Sequence, residues 1–181
     1  MLNKNQLASP LEVTELLKKE ELFQEWKKNH TQSYLSHFFC PINSELEPLG
    51  EWEIGWLNPD DGKITVFALL ENRSFAIKPA DEVFKAPNTK VEELNLDKIK
   101  VSVEEVQKTA NESKILHFPT EILGNGFIIL QTLNEVVQWN VSFITKTLKF
   151  ANLKINAETG ELFSHNVISF MEKHKGQKAT K

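Results

Sequence analysis

Two stretches of this 181-residue chain, 93 residues apart, open in the same way. Ser9-Pro10-Leu11-Glu12 and Ser102-Val103-Glu104-Glu105 both carry a capping serine followed three residues later by glutamate. That spacing lets a hydroxyl and a carboxylate satisfy free N–H groups at a helix start, and Pro10 suits the first helical position. Val13, Leu16, Leu17 and Phe23 follow the first cap at helical spacing, and Val103, Val106 and Ala110 follow the second. The spacing predicts helices near 10–28 and 102–113.

Each helix is followed by alternating apolar runs. Trp52, Ile54 and Trp56 alternate with polar or small residues, and so do Trp139, Val141 and Phe143. A shift of 93 carries Ser9 to Ser102 and Tyr34 to Phe127. A shift of 87 carries Trp52 to Trp139, and one of 83 carries Phe67 to Phe150. The offset changes only at turn-rich segments, as in a duplicated unit. Strands are expected near 33–40, 51–57, 63–70 and 74–78, then near 127–133, 136–144, 147–155 and 161–169. Asn134-Glu135 and Thr145-Lys146 read as hairpin turns, and Gly160 as a turn residue with positive φ. The expected organisation is a first unit at 1–87, a connector at 88–100, a second unit at 101–172 and a basic tail at 173–181.

Composition narrows the function classes. Lys and Arg number 21 against 25 Asp and Glu, for a net charge of −4, which argues against a dedicated nucleic-acid binder. Cys40 is the only cysteine, so neither an intrachain disulfide nor a cysteine-based zinc site can form. No apolar leader and no stretch approaching a membrane span is seen, so four Asn-x-Ser/Thr matches read as chance and the expected location is cytoplasmic, with no membrane partner.

No constellation points to catalysis. His30, His37, His117, His165 and His174 form no helix-spaced ligand pair. His37 and Cys40, three apart on a strand, point to opposite faces. Gly124-Asn125-Gly126 leads into a strand and not into a phosphate-binding helix, and Asp60-Asp61-Gly62 lacks the spaced ligands of a calcium loop. No catalytic residue, cofactor or metal is expected. In the run Ile64 to Leu70 both faces are apolar, so Phe67 and Leu69 are expected to pack on the other unit or on a partner. Gln138, Asn140 and Ser142 form the expected wet face of their strand, a second candidate contact.

Residues 102–170 resemble PepSY domains. The short helix, Gln138-Trp139-Asn140-Val141-Ser142-Phe143 and the run Asn156-Ala157-Glu158-Thr159-Gly160-Glu161-Leu162 carry the likeness, with Asn156 where that family has Asp. The first half looks like a diverged copy without the Thr-Gly-Glu turn, and the tandem is similar to uncharacterised PepSY-type proteins of archaea. The resemblance implies an α+β fold of two cystatin-like units, each one helix packed on a four-stranded antiparallel sheet. It implies no catalytic residues. The expected function is a non-enzymatic binding or regulatory module for a protein or peptide, with protease inhibition as a subtype, acting as monomer or homodimer. The alternatives are a small-molecule binder or enzyme with a helix–sheet pocket, or a structural dimerisation module.

Overall fold

A computed structural model describes residues 6–78 and 90–169. The proline-bracketed segment after β4 and the basic tail lie outside the described residues. The helices are α1 (Pro10–Lys19), α2 (Glu21–Asn29) and α3 (Val103–His117). The strands are β1 (Tyr34–Ile42), β2 (Glu53–Asn58), β3 (Lys63–Leu69), β4 (Phe75–Lys78), β5 (Leu123–Leu133), β6 (Val136–Thr145), β7 (Lys149–Asn156) and β8 (Leu162–Ser169).

Two separate helix-on-sheet units do not form. β1 and β5 pair antiparallel from His37↔Gln131 to Ile42↔Gly126. That seam fuses all eight strands into one antiparallel sheet, in the order β4-β3-β2-β1-β5-β6-β7-β8, and makes the chain mostly β. The reason is backbone satisfaction. Each half alone would leave the N–H and C=O groups of a long strand unpaired, and the two edges satisfy each other.

The cap signals differ in outcome. At α3 the full box forms: Ser102 Oγ accepts from Glu105 N, and Glu105 Oε2 accepts from Ser102 N at 2.8 Å. At α1 the Ser9 side chain makes no cap bond, and the expected single helix over 10–28 breaks at Glu20, whose ψ of 131° is extended.

One face of the sheet carries the helices. On it Trp52, Trp139, Phe38, Phe67 and Phe143 are fully buried, and one apolar cluster runs through both halves. Trp52 and Trp139 meet across the seam with ring centroids 6.3 Å apart. Burial of such side chains contributes on the order of 1.5–3 kcal/mol each.

Strand pairing also corrects the repeat alignment. Phe38 pairs with Ile54 as Ile128 pairs with Val141, and Ile54 pairs with Phe67 as Val141 pairs with Leu153. Phe38 therefore corresponds to Ile128 and Phe67 to Leu153, not to Phe150. The offsets of 93 and 83 are wrong within the strands by an odd number of residues, and an odd slip exchanges the two faces.

The connector lies across the ends of the strands. Tyr34 Oη donates to Val91 O at 3.0 Å, Leu94 N to Leu35 O at 2.8 Å and Thr132 Oγ1 to Glu93 O at 2.8 Å. The Glu92 carboxylate accepts from the N–H groups of Asn134 and Glu135, which form a two-residue turn with φ of 51° and 66°.

Candidate functional site

The two edge strands differ sharply. β4 has four residues, ends in Lys78 ion-paired with Glu53, and is followed by Pro79. A short strand closed by lysine and proline resists further pairing. β8 has eight residues, Leu-Phe-Ser-His-Asn-Val-Ile-Ser, without proline and without a carboxylate, lysine or arginine. Phe163 is 49% exposed and Val167 38%. Among the described residues no strand pairs with its outer edge along residues 162–168. His165 is held by a face-to-face stack on His117 of α3, ring centroids 3.8 Å apart.

The five residues singled out from the sequence do not converge on one exposed patch. Phe67 is fully buried against α2 of its own half, its ring 5.3 Å from that of Phe23 and 5.2 Å from that of Trp26. Leu69 is buried on the same face. For Phe67 the aromatic side of α2, in its own half, supplies cover.

Gln138, Asn140 and Ser142 lie on the face opposite the helices, yet Gln138 is 2% exposed and Ser142 4%. Only Asn140 is half-buried. Ser142 Oγ donates to Asn152 Oδ1 across the strand pair at 3.1 Å. Gln138 Nε2 and Asn140 Oδ1 are buried without a hydrogen-bond partner. An unpaired donor and an unpaired acceptor thus sit two residues apart on one strand face.

Among the described residues, Cys40 and His37 do not form a nucleophile–base pair. Cys40 is fully buried on the helix face, and burial, reinforced by Glu51, pushes its thiol up to about 12. His37 is on the opposite face. Burial lowers it to about 4, against a smaller opposing effect of Glu53. Its ring lies over Gly55, where an added Cβ would stand 2.2 Å from Cε1. Among the described residues no three His, Cys, Asp or Glu side chains gather to hold a metal.

Two clefts lined by described residues lie at the margins of the helix–sheet core. One of about 480 Å³ runs between α1, the start of β1 and the connector, lined by Thr14, Lys18, Ser33, Trp56, Glu93 and Asp97 among others. Trp56 Nε1 is buried there without a partner. Lys27 Nζ, 5.3 Å from the Trp56 ring centroid, donates to Ser33 O, Ser33 Oγ and Thr31 O. Its three protons are thereby committed to neutral acceptors.

Sequence reasoning missed the seat of His37 on Gly55 and a group of exposed aliphatic residues at one end of the second half. The adjacent pair Ile115-Leu116, off the buried stripe of α3, was the signal for the latter.

No family model matches the chain, and no curated protein matches it. Among solved structures, a crystal structure described as that of a "putative lipoprotein" from Clostridium difficile 630 is similar over 84% of this chain and 97% of that one, with 9% identity and a TM-score of 0.47.

Proposed function

We propose that the protein is a non-enzymatic binding module that receives an extended peptide segment of a partner along the outer edge of β8. The observation that carries this reading is the contrast between the edges: β4 is blunted, whereas β8 is long, uncharged and flanked by exposed Phe163 and Val167. A ninth strand would gain main-chain hydrogen bonds along β8, with Phe163 and Val167 contacting alternate side chains. The buried state of Gln138 and Ser142 favours the edge over the opposite sheet face.

The resemblance of residues 102–170 to PepSY domains, for which protease inhibition has been proposed, makes proteases the first partner class to assay. Selection of extended peptides on the intact chain, followed by amide exchange with and without the selected peptide, tests the reading. Slowed exchange confined to β8 and its flanks is expected, with loss of binding in Phe163→Lys/Val167→Lys. Selected peptides that leave β8 exchange unchanged would overturn it.

A further inference from the structure

The β7–β8 hairpin is fastened to α3 in two different ways. Where the hairpin turns, Lys100 N and Val101 N, just before α3, donate to Ala157 O at 2.9 and 3.1 Å. These are main-chain bonds between uncharged groups. Farther along, β8 meets the other end of α3 through a pair of rings. His165, directly opposite Leu153 of β7, stacks on His117, the last residue of α3. The ring centroids are 3.8 Å apart and the planes 17° from parallel. Among the described residues no other aromatic contact joins α3 to β8. The stack therefore fastens the open edge strand to the helix layer.

Imidazole is the side chain whose charge changes between about pH 5 and 8. One proton on such a pair is tolerated, because a cation over a neutral ring face is held by the ring's quadrupole. A second proton sets two like charges face to face and opposes the stack.

The described surroundings do not offset that repulsion. The face of β7 beside the pair carries Ala151, Leu153 and Ile155, all buried and apolar. On α3, Lys114 stands one turn back from His117, but its Nζ donates to Ser44 O at 2.7 Å beside Glu45. Lys108 and Glu112 are on the exposed side of the helix. After α3, Glu121 is paired with Lys149. Glu161 lies four residues back from His165, before β8 begins. Among the described residues no carboxylate is within ion-pair distance of either imidazole.

We propose that the His117–His165 stack is a proton-operated latch on the β8 edge. With at most one proton on the pair, β8 is held against α3 as an ordered template; a second proton frees it and releases the bound segment. This rests on the reading of β8 as the peptide-binding edge, because a strand ordered beforehand loses less entropy on binding. The test is amide exchange of the free, full chain near pH 7.5 and near pH 5, expressed as protection factors so that the intrinsic pH dependence of exchange drops out. Protection of residues 163–168 should fall about tenfold near pH 5 in the unaltered chain, and stay within about twofold in His117→Phe, which keeps a ring on His165 but takes up no proton. His165→Phe serves should that variant not fold. His37 is present in all these chains, so its own acid response cancels in the comparison. An equal fall in the variant, or no fall in the unaltered chain, would overturn the latch. A selected extended peptide free of His, Asp and Glu should bind the unaltered chain about tenfold more weakly near pH 5, and His117→Phe equally at both pH values. The protection change with no peptide bound at β8 would sustain the latch and sink the reading of β8 as the binding edge. Peptide bound at β8 with one affinity at both pH values would sustain that reading and sink the latch as its regulator.

Discussion

The imidazole of His37 occupies the space that a side chain at Gly55 would fill. A Cβ built there stands 2.2 Å from Cε1, 2.5 Å from Nδ1 and 2.9 Å from Nε2. The two residues are directly paired across β1 and β2. Glycine at 55 is thus needed for its missing side chain. Gly55→Ala is expected to destabilise by about 1–3 kcal/mol through overpacking. Combining it with His37→Ala should recover part of that loss, and a double-mutant cycle by denaturant unfolding measures the coupling. Additive losses would show that the ring simply moves aside.

The same seat gives His37 a pH signature. Burial lowers its folded-state value to about 4 from the ordinary 6.5. Between these values the unfolded chain binds a proton that the folded chain does not, so stability falls as pH drops from about 6.5 to about 4 and levels off below. The full difference corresponds to at most about 3 kcal/mol. Unfolding free energies at pH 7, 5.5 and 4 should show the slope, and His37→Phe should flatten it; an identical slope in that variant would assign the effect to carboxylates.

Gln138 carries a buried amide nitrogen without a partner. Leaving such a group unpaired costs about 1–3 kcal/mol, and replacing it with an apolar chain of similar shape removes that cost. Gln138→Met should leave stability unchanged or raise it. A loss greater than about 1 kcal/mol would mean that the amide has a water partner.

Trp139 packs on Trp52 across the β1–β5 seam. Trp139→Ala should cost about 3–5 kcal/mol. Calorimetry should show a single transition shifted as a whole. Two transitions, only one of them moved, would indicate halves that melt independently.

Gly160 has φ of +77°, and a Cβ there would meet Val101 Cγ2 at 3.3 Å. Gly160→Val should destabilise by about 1 kcal/mol or more from backbone strain, with the Val101 contact adding to it. An unchanged melting temperature would show that the turn relaxes.

Local order was legible wherever a signal acts within a few residues. The alternation of Trp139, Val141 and Phe143, the turn at Asn134-Glu135 and the positive φ of Gly160 all appear as read. What required distant partners was not. Periodicity says which face of β1 is apolar but not that its free edge meets β5, so the single sheet was missed. The break at Glu20 has no glycine or proline to announce it. Gln138 and Ser142 alternate like solvent-facing residues and are nonetheless buried. The candidate edge was foreseeable in kind, since β8 offers eight strand residues without a carboxylate, lysine or arginine, but that β8 rather than an inner strand stands at the margin follows only from the sheet order.

The β1–β5 seam makes the molecule indivisible. Cutting the chain within the connector and parting the halves would bare strands of nine and eleven residues that now lie at the middle of the sheet. Each fragment would then carry an adhesive flank far longer than β4, and would recruit either its lost counterpart or another copy of itself. A gene encoding one half alone would accordingly yield a pair or an aggregate, and covalent tandem arrangement fixes which of those outcomes the cell receives.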